Sequence, residues 1–214
     1  MLSLATSLLW LDLAAVAVFG ATGALAAARR KHDIVTFGFF AALTGVGGGT
    51  LRDVLIDAPV FWVGRPTYLV ACVVAAIVIW FVGWGQGRER VLNWLDALGM
   101  AAYTVVGALK ALSLGAPPLS AIVMGIMTST FGGIIRDVLA EQPSILLRRE
   151  IYVTAALAGA VVFVGLHQIG IAPAIAGSAG FATAFGVRAG AILFRWTLPG
   201  FPGRTPPEPP SETP

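Results

Sequence analysis

Apolar residues in this chain form seven runs of about 20 residues each, separated by short segments that carry charge, glycine or proline. An α-helix needs roughly 20 such residues to cross the hydrocarbon core of a bilayer. The pattern therefore predicts seven transmembrane helices, at residues 7–28, 34–57, 67–85, 91–113, 118–140, 150–169 and 172–195.

The motif G-G-x-x-R-D-V-L occurs twice, at residues 48–55 and again at residues 132–139, which is an offset of 84 positions. The same offset relates Asp12 to Asp96, and no insertion separates the two copies. The chain is therefore predicted to be an internal duplication.

The duplication predicts the organisation of the fold. Each copy holds three helices, an odd number, so the second copy must enter the membrane from the opposite face. We expect an all-α membrane protein of two inverted three-helix repeats plus a seventh helix, with helices two and five kinked at glycine-rich breaks. The predicted parts are a transmembrane domain at 1–198 with repeats at about 7–85 and 91–169, a seventh helix at about 172–195, and a disordered proline-rich tail at 199–214.

Composition excludes a soluble domain. Hydrophobic residues make up 57% of the chain and charged residues 12%, with a mean hydropathy of +0.84, whereas soluble domains have about 25% charged residues. The single cysteine, Cys72, lies in an apolar run, so no disulfide framework is available and a buried, inert thiol is expected. Loop arginines and lysines account for the net charge of +3, so nucleic acid is not an expected partner.

Basic residues predict the orientation. Between the predicted helices, one face carries nearly all of them: Arg29, Arg30, Lys31, Arg88, Arg90, Arg148, Arg149 and, in the tail, Arg204. Because Lys and Arg are enriched in cytoplasmic loops, the N-terminus is predicted outside and the C-terminus in the cytoplasm. The expected location is the cell (inner) membrane of a bacterium or archaeon.

Glycines near the middle of helices two and five weaken those helices by roughly 1 kcal/mol each relative to alanine. The favoured interpretation is that both helices bend or unwind there and line a shared polar cavity, since freed carbonyls at membrane depth must face protein or water. The alternative is close helix packing through small residues. The candidate pore or hinge glycines are Gly45, Gly47, Gly48, Gly49, Gly132 and Gly133.

Hydroxyl side chains stand beside these glycines at Thr44, Thr128 and Ser129. Such side chains either line a pore or bond back to carbonyls of the preceding helical turn. The sequence leaves both alternatives open.

Four charges follow the glycines, and together they form a predicted midplane charge network: Arg52, Asp53, Arg136 and Asp137. A charge at the centre of a spanning helix costs about 2.5–3.5 kcal/mol unless it is paired or hydrated. Neighbouring residues point about 100° apart on a helix, so inverted symmetry predicts pairing of Arg52 with Asp137 and of Arg136 with Asp53. Such pairs either lock the two helices together or place charge beside a pathway.

Three further charges lie on the helices that precede this motif. Lys110 has an alanine as its repeat counterpart, and it is interpreted either as a lysine that reaches to water or as a gating or lipid-binding cation. Asp12 and Asp96 are expected to begin their helices and cap free N–H groups, with attraction of ions at a vestibule as the alternative.

Motifs for catalysis or metal binding are absent from the sequence, which has no H-E-x-x-H, no G-x-x-x-x-G-K-[ST] and no C-x-x-C. The chain is therefore predicted not to be an enzyme, and no cofactor or metal is expected. A membrane lipid could be bound, and Gly186-x-x-x-Gly190 in the seventh helix is weak support for an oligomer.

The paired G-G-x-x-R-D motifs and the three-plus-three-plus-one layout resemble those of the prokaryotic trimeric intracellular cation (TRIC) channels, over about residues 5–196. The resemblance implies a homotrimer in which each subunit conducts potassium and other monovalent cations through an hourglass pore between helices two and five. It also suggests a gating or lipid-binding role for Lys110. A transporter of a small zwitterion such as glycine, with inverted halves that rock around a central site, is the alternative function; a membrane scaffold without a water-filled route is a third.

Overall fold

A computed structural model describes residues 4–82, 88–142 and 151–199 of this chain. Its regular structure is helical, and the helices of the described ranges are α1 Leu4–Arg29, α2 Ile34–Leu55, α3 Phe61–Gly64, α4 Thr67–Val82, α5 Arg88–Ser113, α6 Pro118–Leu139, α7 Val153–Gln168 and α8 Pro173–Phe194. Residues 200–214, which make up nearly all of the predicted tail, lie outside the described residues, as do Arg148 and Arg149.

Seven of these helices coincide with the predicted apolar runs, and α3, a single turn of 4 residues, was not predicted. Five meet both length and hydropathy criteria for crossing a membrane, at Asp12–Arg29, Ile34–Leu55, Glu89–Ser113, Pro118–Leu139 and Pro173–Phe194. The other two, α4 and α7, are apolar but have 16 residues each, or about 24 Å at 1.5 Å per residue. The count of seven transmembrane helices therefore stays a prediction.

The duplication is visible in how the helices end. Lys31 and Gly115, which follow α1 and α5, both have positive φ, at 56° and 82°, and Asp57 and Glu141, which follow α2 and α6, have φ of 52° and 50°. Both pairs are 84 positions apart. A residue in this left-handed conformation lets the chain fold back and satisfy free carbonyls at the helix end, so equivalent helices of the two copies end in the same way.

Helices α2 and α6 cross in contact, and glycines make that contact possible. A Cβ atom built on Gly48 would overlap the backbone carbonyl of Thr128, and one built on Gly132 would lie 2.6 Å from the carbonyl oxygen of Thr44. As the residue number rises along α2, the number of its partner on α6 falls, so the two helices run antiparallel. This crossing lies near the middle of both helices.

Both helices are continuous through their glycines, so the prediction of an unwound segment is wrong. The glycines instead allow close packing, which was the alternative interpretation: a Cβ on Gly45 would lie 2.6 Å from Cys72 Sγ, and one on Gly49 would lie 2.6 Å from the Phe61 ring. A kink within a continuous helix stays a prediction.

The core is built mostly of alanine and aromatic residues. The larger buried cluster joins α1, α2, α4, α5, α7 and α8, with Phe19 and Tyr103 stacked at a centroid distance of 5.4 Å. Small residues let the helix backbones approach closely, which substitutes for a hydrophobic driving force inside a membrane. In the Gly186-x-x-x-Gly190 motif of α8, the Trp196 ring of the same chain covers Gly190. Gly186 is the glycine of this motif that has open space around its Cβ position.

Candidate functional site

Buried charged side chains gather at the C-terminal end of α2. Arg52 and Asp53 are in the last turn of α2, with exposed fractions of 2% and 0%. The Arg52 guanidinium donates from Nε to Asp53 Oδ1 at 2.8 Å, and its Nη2 lies 2.8 Å from the same oxygen. Lys110, in the last turn of α5, places Nζ 2.7 Å from Asp53 Oδ1. One carboxylate of the first repeat is therefore shared by two cations, one from each repeat.

Aromatic side chains extend this group toward α1 and α4. The Tyr68 hydroxyl donates to Asp12 Oδ2 at 2.8 Å, and the Tyr68 ring packs edge-on against Phe61 at 4.7 Å. The backbone N–H of Phe61 in turn donates to Asp53 Oδ2 at 3.0 Å. We call this group the Asp53 cluster; its members are Asp12, Arg52, Asp53, Tyr68 and Lys110.

The equivalent group lies at the C-terminal end of α6. Arg136 donates from Nε to Asp137 Oδ1 at 2.9 Å and from Nη1 to Asp96 Oδ1 at 2.6 Å. Tyr152 stands in the place of Tyr68, and its hydroxyl, Asp96 Oδ1 and Arg136 Nη2 all lie within 3.6 Å of the Cβ position of Gly133. Exposed fractions are 1% for Arg136 and 0% for Asp96. Isolated charges this deeply buried would be costly, so their mutual pairing is what makes them tolerable.

Arg188, on α8, joins this second group although it lies outside the duplication. Its guanidinium carbon lies 5.1 Å from the centre of the Tyr152 ring, and its Nη1 donates to the carbonyl oxygen of Ile151 at 3.4 Å. The side chain is 1% exposed. Arg188 was not among the predicted site residues, although an arginine inside an apolar helix is itself a signal of function. We call the group the Asp137 cluster; its members are Asp96, Arg136, Asp137, Tyr152 and Arg188.

The two clusters lie on opposite sides of the crossing, because each is at the C-terminal end of one of the two antiparallel helices α2 and α6. A midplane location stays a prediction, but the predicted single network is wrong, because the four charges are divided between the two clusters. It is also wrong in its pairing, since Arg52 and Arg136 each bind the aspartate that follows them and not an aspartate of the other repeat. Among the described members of the two clusters, the ion pair that joins the repeats is that of Lys110 with Asp53.

Asp12 and Asp96 were expected to begin their helices. They lie instead inside α1 and α5. Asp12 accepts a hydrogen bond from Tyr68, while Asp96 accepts one from Arg136. Their role is thus in the charge clusters, and the prediction of capping is wrong for both.

The Asp137 cluster borders a polar cavity of about 120 Å³ lined by residues of α1, α5 and α6, among them Arg136 and Asp137. Arg29 and Glu89, also in its wall, form an ion pair at 2.9 Å. Beside them, Arg30 donates to the carbonyl oxygen of Ala140 at 2.8 Å. The end of α1 is thus tied to the first turn of α5 and to the last turn of α6.

Hydroxyl groups near the crossing of α2 and α6 differ between the repeats. Thr128 and Ser129 bond back to carbonyl oxygens of their own helix, those of Met124 at 2.6 Å and of Ile126 at 2.9 Å. Thr44 Oγ1 is buried and has no hydrogen-bond partner among the described residues. Among the described hydroxyl groups at the crossing, that of Thr44 is therefore the one available to another ligand.

Metal binding has no support in the described part of the chain, where no three His, Cys, Asp or Glu side chains come together. The carboxylates of both clusters are instead neutralised by arginine and lysine.

Comparisons with known proteins give the family. A family model described as "Glycine transporter" matches the chain twice, at residues 9–84 and 93–168. The chain is 38% identical over 198 residues to the inner membrane protein YadS of Escherichia coli, covering 90% of this chain and 95% of YadS. It is also 47% identical to a TRIC trimeric intracellular cation channel orthologue from Rhodobacter sphaeroides, with a TM-score of 0.86 over 89% of this chain and 100% of the other. The chain belongs to the TRIC family.

A second solved structure, of a prokaryotic TRIC channel in 0.5 M KCl, is 26% identical to the chain, with a TM-score of 0.84 over 91% of it. The two matches of the family model begin 84 positions apart, as do the motifs. TRIC membership confirms the resemblance seen in the sequence, and relatives that are membrane proteins and cation channels agree with the prediction that the chain is not an enzyme. The transporter description is a label of the family model and identifies no substrate.

Proposed function

We propose that this protein is a cation channel of the membrane, permeable to potassium and other monovalent cations. The observation that carries the proposal is the match to the Rhodobacter sphaeroides TRIC channel, at 47% identity over the whole of that chain. Identity at this level, together with a TM-score of 0.86, supports transfer of the general function along with the fold.

The proposed pathway runs along the crossing of α2 and α6, with one hourglass pore in each subunit. In support of this route, the two charge clusters lie at its opposite ends, and the Asp137 cluster borders a polar cavity. At the waist the backbones of Gly48 and Gly132 are packed against the partner helix, so we propose that the described conformation is closed there. Opening then requires a small separation of the two helices, which would bring Thr44 Oγ1 into contact with the pathway.

The proposed arrangement in the membrane follows from the duplication. Two copies of three transmembrane helices, inverted relative to each other, are followed by α8. The N-terminus faces outward, the Asp53 cluster lies near the outer face, and the Asp137 cluster lies near the cytoplasm. Arg29, Arg30 and Lys31 at the end of α1 support this orientation. The proposed assembly is a homotrimer with bound membrane lipid, and the trimeric nature of the Rhodobacter sphaeroides channel supports it.

Recording from the purified protein in planar bilayers under a potassium chloride gradient tests this function. A channel gives discrete openings whose currents reverse near the potassium equilibrium potential, whereas a glycine transporter accumulates labelled glycine in proteoliposomes without unitary currents. Glycine uptake without unitary currents would replace the channel proposal with the transporter. An absence of both activities in correctly folded protein would favour the scaffold.

Lys110 is proposed as the gating residue, because its 2.7 Å contact with Asp53 joins the second repeat to the end of α2. Its side chain is 29% exposed, so it can leave the carboxylate for water. Lys110→Gln is expected to change the open probability, while the matched control Lys31→Gln, which removes an exposed lysine at the end of α1, is expected to leave it unaltered. An unchanged open probability at all voltages in Lys110→Gln would refute the gating role.

A further inference from the structure

The two charge clusters have the same repeated part. Each holds two aspartates and one arginine that are related by the offset of 84, namely Asp12, Asp53 and Arg52 at one end and Asp96, Asp137 and Arg136 at the other. Two carboxylates and one guanidinium sum to a net charge of −1, so the repeated residues described here leave one excess negative charge in each cluster.

Apart from the exposed Arg65, which lies beside Tyr68, the fourth charge described at each end does not belong to the repeat. At the Asp53 cluster it is Lys110, whose repeat counterpart is Ala26, and at the Asp137 cluster it is Arg188 on α8. Two unrelated positions, on different helices, thus each add one cation to an otherwise symmetric arrangement. This points to a requirement for charge balance at both ends of the pathway.

We propose that Arg188 is a charge-setting and positioning residue of the pathway, which supplies at the Asp137 cluster the positive charge that Lys110 supplies at the Asp53 cluster. The inference rests on the proposed function, in which cations pass between α2 and α6. Arg188 acts through its neighbours: it packs on the Tyr152 ring at 5.1 Å, and the Tyr152 hydroxyl shares one small space with Asp96 and Arg136.

The two cations differ in freedom, which makes the ends unequal. Arg188 is 1% exposed, and the Tyr152 ring and the Ile151 carbonyl hold its guanidinium in place. Lys110, with a flexible side chain that is 29% exposed, can exchange its carboxylate for water. The positive charge of Arg188 therefore stays at the Asp137 cluster, whereas the positive charge of Lys110 can leave the Asp53 carboxylate.

Removing either cation should change how the channel rectifies. A unit charge about 10 Å from a cation in water alters the local cation concentration about two-fold. Loss of positive charge at the cytoplasmic end concentrates cations there and favours outward current, whereas the same loss at the outer end favours inward current. A purely structural role of Arg188 would change the number of working channels but not the ratio of the two currents.

The test uses single-channel currents in inside-out patches from giant spheroplasts, where the orientation is that of the cell. Symmetric potassium chloride at about 0.01 M keeps the Debye length near 30 Å, so that screening over about 10 Å leaves most of the effect. We expect the ratio of outward to inward unitary current, at equal and opposite voltages, to rise about two-fold in Arg188→Gln and to fall about two-fold in Lys110→Gln. The charge-preserving control Arg188→Lys should keep the wild-type ratio, and the double variant Lys110→Gln/Arg188→Gln should return close to it.

A wild-type ratio in conducting Arg188→Gln channels would overturn the inference, as would an equally large change in Arg188→Lys. If Arg188→Gln does not fold, Arg188→His at pH 8, where an imidazole is neutral, replaces it; a ratio there equal to that of Arg188→Lys at the same pH also overturns the inference. An absence of unitary currents in the wild type refutes the proposed function itself, which is a distinct result, and the inference fails with it.

Discussion

Replacing Gly48 with alanine tests whether the midplane glycines serve to bring α2 and α6 into contact. The added Cβ would overlap the backbone carbonyl of Thr128. A carbonyl within a continuous helix cannot rotate away, so relief requires the two helices to move apart. If the glycines instead served to let the helices unwind, alanine, which has the higher helix propensity, would stabilise the helix and the protein.

The size of the effect follows from two opposing contributions. Overpacking a well-packed contact costs about 1–3 kcal/mol, and alanine in place of glycine recovers about 0.8–1.0 kcal/mol of helix propensity. We therefore expect Gly48→Ala to lose up to about 2 kcal/mol of unfolding free energy. Gly132→Ala, whose Cβ would lie 2.6 Å from the Thr44 carbonyl oxygen, should behave in the same way. One separation of the helices relieves both contacts, so the double variant should cost less than the sum of the single ones.

Two other glycines of α2 provide matched controls. Gly38 has open space around its Cβ position, and Gly47 would meet only the end of the flexible Ile135 side chain. Gly38→Ala should therefore stabilise the protein by up to about 1 kcal/mol, and Gly47→Ala should be tolerated. The measurement is the thermal unfolding midpoint of the purified proteins in detergent. A Gly48→Ala midpoint at or above that of Gly38→Ala would refute the packing argument.

Two further predictions concern charged residues. Arg136→Gln leaves the buried carboxylates of Asp96 and Asp137 without their shared arginine, so it should cost about 3–5 kcal/mol; recovery of full-length, thermally stable protein at wild-type yield would contradict this. Asp33 caps α2 by accepting from the Thr36 N–H, and these hydrogen bonds lower the pKa of its carboxyl below the ordinary value of 3.8. A lowered pKa stabilises the fold above the ordinary value and loses that contribution as the pH falls through the folded-state pKa. The difference in unfolding midpoint between wild type and Asp33→Ala should thus be largest near neutral pH and shrink below pH 3.8; a pH-independent difference would exclude the carboxylate as its source.

The helices could be predicted because the bilayer dictates the length and hydropathy of a spanning segment, and both are visible in a single sequence. The short helix α3 could not, since one turn between a glycine-rich helix and α4 has no periodicity to reveal it. The role of the glycines near the middle of α2 and α6 could not be decided from the sequence, for a physical reason. A break and a close crossing both require small residues, and only the position of Thr128 opposite Gly48 distinguishes them.

The predicted pairing of the charges was wrong for a different reason. The 100° angle between neighbouring residues describes the direction of their Cβ atoms, but the long stem of Arg52 lets its guanidinium reach back to Asp53. The partners that bridge helices depend on the tertiary packing of α5 and α8, so the Lys110 contact with Asp53 could not be derived from spacing. Arg188 could have been singled out on burial cost alone, because it is a charge in an apolar run.

The two cations that break the repeat, Lys110 and Arg188, carry more information about function than the residues that obey it. Duplication explains why Arg52 and Arg136 occur together with their aspartates, since a copied gene retains such pairs whatever their use. It does not explain why each end then holds an additional cation from an unrelated position. Lys110 and Arg188 must therefore be accounted for by what the two ends do. Because the two side chains differ in burial and in mobility, a pathway between the clusters is expected to respond differently from its two sides.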